Sequence, residues 1–128
     1  MKLYGKEDVG FGDMGDFTGK AIIPLDFNSV APLLQRKPKK AFSISKASFN
    51  KLFNIFLKKS SKQDRNSDLL VLMRVKKGTN AKKAAEMGHK ISSKMGKHSL
   101  VVWAAQEYDR FRFDFYFYYG SNAKLRKR

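Results

Sequence analysis

The stretch Arg110 to Tyr119, RFRFDFYFYY, constrains the fold more than any other part of the chain. Side chains alternate across a β-strand, so Phe111, Phe113, Phe115, Phe117 and Tyr119 share one side, while Arg110, Arg112, Asp114, Tyr116 and Tyr118 share the other. A helix at 3.6 residues per turn would scatter the same aromatics around its whole circumference. The row has to be a strand, and its oily side needs a covering layer.

Two helical patterns supply that layer. Behind Ser45, read as an N-cap, Phe49, Leu52, Phe53, Phe56 and Leu57 recur at i, i+3, i+4, i+7 and i+8, which predicts an amphipathic helix over Lys46 to Lys59. Further on, Thr79 or Asn80 caps a second helix. Its inner face, Ala81, Ala84, Gly88, Ile91 and Met95, is narrow enough for close packing on a sheet, and Gly96 ends it. Between the helices the polar run SSKQDRNS reads as a loop, and DLLVLMRV reads as a buried strand closed by Lys76, Lys77 and Gly78.

The remaining strands follow from similar cues. FTGKAIIPLDF predicts a strand that Pro24 interrupts, confining it to a sheet edge or ending its pairing there. QRKPKK is a basic connection and AFSIS a short strand. SLVVWAA is a strand that pairs with RFRFDFYFYY as an antiparallel hairpin and carries Trp103 into the core. The prediction is an α+β fold: a single-domain two-layer sandwich, with a mixed, mostly antiparallel sheet, two helices on one face and a C-terminal aromatic β-hairpin. A chain of 128 residues holds one such domain. Its expected span is residues 17–120, between an acidic, glycine-rich arm (1–16) and a basic tail (121–128).

Charge points to the partner. The formal net charge is +16, and because residues 1–26 carry three lysines against five carboxylates, the rest of the chain carries +18. Self-repulsion on that scale destabilises a small domain unless polyanions surround it. The side of RFRFDFYFYY opposite the phenylalanines offers Arg110, Arg112, Tyr116 and Tyr118, a set suited to stacking unpaired bases and neutralising phosphates. Lys37, Lys39, Lys40, Lys58, Lys59, Lys82 and Lys83 flank it as phosphate contacts. The expectation is a non-enzymatic protein that binds single-stranded DNA or RNA, in a phage or viral setting. The alternative is a structural protein of a nucleoprotein particle, a virion or ribosome component. A second copy of the chain is the other expected partner.

Enzymatic readings fare worse. Gly10 to Gly15 spells G-x-G-x-x-G, but a strand follows it where dinucleotide binding needs a helix N-terminus, and Asp13 and Asp16 would repel phosphate. Ser43 to Lys46 spells S-x-x-K without the companion motifs of that enzyme class. His89 and His98 lack metal-ligand spacing, and Asp109 and Asp114 have opposite strand parity, which opposes a shared metal with Glu107. No catalytic residue, metal or cofactor is therefore expected. With no cysteine, an intracellular, reducing compartment fits. No run reaches the roughly 20 apolar residues of a membrane helix, so no membrane partner is expected, and the N-terminus reads as neither a secretory signal nor a transit peptide.

Overall fold

The computed structural model describes residues 20–119 of the chain. The expected arm and tail, and the Gly10 to Gly15 motif, lie outside the described residues. In chain order the elements are β1 (Ala21–Ile23), α1 (Phe27–Leu34), β2 (Lys40–Lys46), α2 (Phe49–Lys59), the one-turn α3 (Lys62–Arg65), β3 (Asp68–Lys76), α4 (Ala81–Ser92), β4 (Val101–Tyr108) and β5 (Phe111–Tyr118). The strands form one mixed sheet in the order β1-β4-β3-β5-β2. Only β3 and β4 run parallel, joined through α4, and the other neighbours are antiparallel. The α+β class, the mixed and mostly antiparallel sheet, and two helices sharing one face are as the sequence predicts.

The aromatic hairpin needs correction. β4 and β5 are consecutive strands at the C-terminal end of the domain, but β3 lies between them, with Leu70 facing Val102 on one side and Tyr116 on the other. The reason is the composition of β3. Leu69 to Met73 are apolar toward both faces and at most 1% exposed, which only a central strand flanked on both sides can satisfy. Asp109 and Arg110 carry the chain over the end of β3 instead of closing a turn between neighbours.

Local chemistry sets the helix starts. Asp26 caps α1 by accepting from the N–H of Asn28, and Asn80 caps α4 by accepting from that of Lys83. The cap of α2 is Ser48, not Ser45, because Ser45 is still in β2 opposite Arg112. Within the predicted polar loop, Ser61 and Asp64 form a capping box around α3. Gly96 lies beyond the end of α4, where its N–H donates to the carbonyl of Arg65 at 2.6 Å.

Two cores result, one on each face. On the first face Phe113, Phe115 and Phe117 of β5 meet Leu52, Phe53 and Phe56 of α2, with Ala84 and Ile91 of α4 alongside. The Phe56 and Phe115 rings stack at 4.8 Å, and each such ring contributes about 1.5–3 kcal/mol by leaving water. The small-residue face of α4 has a specific cause: a Cβ on Gly88 would sit 2.4 Å from the indole of Trp103. On the second face Val30 and Leu33 of α1 cover Leu70, Leu72, Tyr116 and Tyr118. Helix α1 is absent from the sequence reading, so the predicted two layers acquire a partial third.

Candidate functional site

The expected base-stacking surface is buried. Tyr116 is 2% exposed and Tyr118 4% exposed, both beneath α1. Burial pushes the Tyr118 phenol up to about 12 against the opposing effect of Arg36, whose guanidinium lies 5.4 Å over the ring. A nucleobase has no access to either ring. The cations expected beside them do not converge. Arg112 reaches the carboxylate of Asp114, and Arg110 is exposed in the β4–β5 connection. Lys37, Lys39 and Lys40 precede or begin β2, and Lys58 and Lys59 end α2 near them, with the Lys40 ammonium donating to the carbonyl of Lys59. Lys82 and Lys83 begin α4 at the opposite end of the sheet.

Three buried carboxylates hold ionic clusters. Asp68 accepts from Arg36 at 2.7 Å and from the N–H of Leu100 at 2.7 Å. Asp64 accepts from Lys40 at 2.7 Å, from the N–H of Ser61 at 2.8 Å and from the hydroxyl of Tyr119. Burial alone would raise the pKa of Asp64, but these donors hold the carboxyl below its usual range. Asp114 accepts from Ser43 at 2.5 Å and from Arg74 at 2.6 Å, with Arg112 Nε at 3.5 Å. Each carboxylate is engaged by cations. Glu107, Asp109 and Asp114 do not converge, since Asp109 is exposed and pairs with Arg110 at 3.8 Å. Among the described residues no three His, Asp or Glu side chains are placed to hold a metal ion. His89 is exposed, with its ring edge-on to Trp103 at 5.0 Å. Ser43 and Lys46 differ in strand parity, so the S-x-x-K letters do not meet in space.

A different cluster emerges from topology. β2 and β3 both run antiparallel to β5 and are therefore parallel to each other, so the helices that follow them, α2 and α4, both start at one end of the sheet. β4, parallel to β3, finishes there too. That end gathers Lys46, Lys51, Lys76, Lys77, Lys82, Lys83 and Arg110, all exposed, and Lys20, whose carbonyl accepts from the N–H of Glu107. Its acids are Glu107 and Asp109. Tyr108, the one exposed large hydrophobic residue among those described, is also there, its carbonyl accepting from the N–H of Lys77. Two helix N-termini add their positive dipole ends, and neither first turn contains an acid. Of this set the sequence pattern marks only Lys82, Lys83 and Arg110 as binding residues. The signal that unites them is the parallel order of β2, β3 and β4, which brings the segments after each strand to one end. At the other end Ile23, Pro24, Asp26, Ser29 and Leu100 to Trp103 line a shallow, mainly apolar groove whose carboxylate already caps α1.

No protein-family model matches the sequence, and no curated protein matches it either. Among solved structures, an FtsZ dimer from M. jannaschii is similar, with a TM-score of 0.63 and 15% identity over 79% of this chain and 33% of that one. A tryptophan-to-tyrosine mutant of FtsZ from the same organism has a TM-score of 0.58 and 14% identity over 83% of this chain and 35% of that one. The chain thus spans about a third of the FtsZ chains it matches, and at such identities the likeness is one of fold. With the burial of Tyr116 and Tyr118, it overturns the expectation of a single-stranded nucleic-acid-binding protein, along with its phage, virion or ribosomal settings. Among the described residues no helix is long and apolar enough to cross a membrane.

Proposed function

We propose that this chain is an assembly module of the FtsZ type, acting by association with a second copy of itself and not by catalysis. One observation carries the reading: 79% of the chain takes the fold of part of FtsZ, which was solved as a dimer. The occupied state of Asp64, Asp68 and Asp114 supports docking over chemistry, because a carboxylate held by lysine or arginine is a poor general base. Strand addition is not the mode of association. β1 has only three residues, and β2 begins and ends with lysine, a device that discourages edge-to-edge pairing. A setting inside the cell fits a chain without cysteine.

Self-association of chains that each carry +16 must work against repulsion, so it should strengthen as salt screens the charge. Sedimentation velocity over a wide concentration range, at about 50 mM and about 300 mM salt, tests this. The expected result is a concentration-dependent dimer or larger species, more populated at the higher salt. A monomer throughout both series overturns the proposal.

A further inference from the structure

The lysines that open α2 and α4 work against the helices that carry them. Lys51 is the third residue of α2, and Lys82 and Lys83 are the second and third of α4, where the helix dipole is positive and acids are favoured. No ion pair joins any of the three to an acid among the described residues. Lys76 and Lys77 extend the same positive end, where Tyr108, opposite Lys76 in the β3–β4 register, is 37% exposed. Glu86, one turn on from Lys82 and Lys83, offsets the conflict in α4 only in part, and nothing comparable follows Lys51 in α2; such conflicts concentrate at functional surfaces.

The segment before Lys20 carries too little net charge to balance this end. Residues 1–19, which precede Lys20, hold Glu7, Asp8, Asp13 and Asp16, but Lys2 and Lys6 reduce their sum to −2. We infer that the lysine-rich end of the sheet docks on an anionic lipid bilayer surface.

Two features favour a bilayer over an acidic protein. Protein interfaces are depleted in lysine and built around a desolvated apolar centre, whereas this patch is nearly all lysine with one tyrosine. Fluid lipid headgroups can gather around separate point charges, and tyrosine is the residue whose amphipathic ring sits at headgroup depth. The charges also come from four separate segments and are all exposed, which suits a broad surface better than an enclosed ligand.

Flotation with phosphatidylcholine vesicles, with and without about 30% phosphatidylserine, tests the inference at protein concentrations where the chain is monomeric. That choice keeps the result independent of self-association. Binding is expected only to the anionic vesicles, with release at high salt. Replacing Lys51→Glu, Lys82→Glu and Lys83→Glu together should lower the partition coefficient roughly 100-fold or more. Each of these changes places an acid in a helix first turn and so favours folding, which circular dichroism would verify. The matched control is Lys58→Glu, Lys59→Glu and Lys62→Glu, which removes the same charge at the far end of α2 and in α3. It should bind within about threefold of the parent. Equal loss in the two triple variants would show that net charge and not this end is responsible, and would overturn the proposal. So would a chain that ignores anionic vesicles while binding polyglutamate or single-stranded RNA.

Discussion

The two ends of the sheet treat the same charged residues in opposite ways. Where β3 begins and β5 ends, cations are matched to buried acids: Arg36 to Asp68, and Lys40 to Asp64, which Tyr119 also reaches. Where β3 ends and β5 begins, Lys76, Lys77, Lys82 and Lys83 stand exposed around Tyr108. The first end is tied to the core and cannot change without loss of the fold. At the second end no ion pair joins Lys76, Lys77, Lys82 or Lys83 to an acid among the described residues, so their charge can serve a partner. A lysine therefore signals little by its identity alone, and its meaning here depends on the end of the sheet at which it lies.

The largest test of this division falls on the tied end. Tyr116 is 2% exposed and sandwiched between the sheet and α1, so Tyr116→Ala should cost about 3–5 kcal/mol through lost transfer energy and a cavity. Denaturant titration measures it. A loss under about 1 kcal/mol would mean that α1 does not close this face and that the ring is available to a ligand after all. Asp64→Asn should follow at roughly 3 kcal/mol, near the low end for breaking a buried pair because the Lys40 side chain is still 31% exposed. If that variant were as stable as the parent, the two ends would be energetically alike and the comparison would fail.

Acid and alkali probe the same cluster with smaller expected effects. The Asp64 carboxyl is held below its usual pKa in the folded state, so its contribution is complete above the unfolded value of about 3.9 and fades as pH falls through the folded one. Urea midpoints from about pH 6 to about pH 2 should drop in the parent and flatten in Asp64→Asn. Tyr119 shifts the other way. Burial first, then the hydrogen bond and charge of Asp64, push its phenol from 10.0 up to about 12. Its contribution is present below the unfolded value and is lost as pH rises through the folded one. Tyr119→Phe should lessen the alkaline decline between those two values. An unchanged alkaline limb would remove Tyr119 from the cluster.

Much of this division was legible in the sequence as elements, and little of it as a site. The phenylalanine row of β5, the stripe of α2 and the small face of α4 each announce their buried side by periodicity, and the centre of each is buried as read, while Ala81 is exposed and Phe49, Leu57, Phe111 and Tyr119 are only partly covered. The other side of β5 could not be read that way. Arg112, Asp114, Tyr116 and Tyr118 alternate like a solvent face, yet α1 covers the two tyrosines, and α1 spans only eight residues with Pro32 inside it. A helix that short leaves too few periods to detect. The order of strands was hidden for a related reason. That β3 must lie between β4 and β5 follows from its apolarity toward both faces, a tertiary demand that outweighs the preference of adjacent strands to pair. Once the order is wrong, Lys46, Lys51 and Lys76 fall at unrelated places, and the lysine-rich end cannot be assembled.

The smallest expected effect bears most directly on the untied end. If Lys51, Lys82 and Lys83 are retained for a partner and not for the fold, changing each alone to Glu should stabilise the isolated chain by about 0.3–1 kcal/mol, because an acid in a helix first turn complements the dipole that a lysine opposes. Lys51→Glu carries an added gain. It completes a capping box with Ser48, in which the new carboxylate reaches the N–H of the cap residue while Ser48 keeps its bond from the N–H of residue 51. Thermal melts of the three single variants at low salt should all move upward, Lys51→Glu the furthest and Lys82→Glu the least because its new acid faces Glu86 at i+4, and the gains should shrink as salt screens them. The corresponding change at the tied end, Lys40→Glu, must move the melt strongly downward, since it sets a second carboxylate against Asp64. Three downward shifts at the first turns would mean that these lysines make stabilising contacts of their own, and the contrast between the two ends would lose its physical basis.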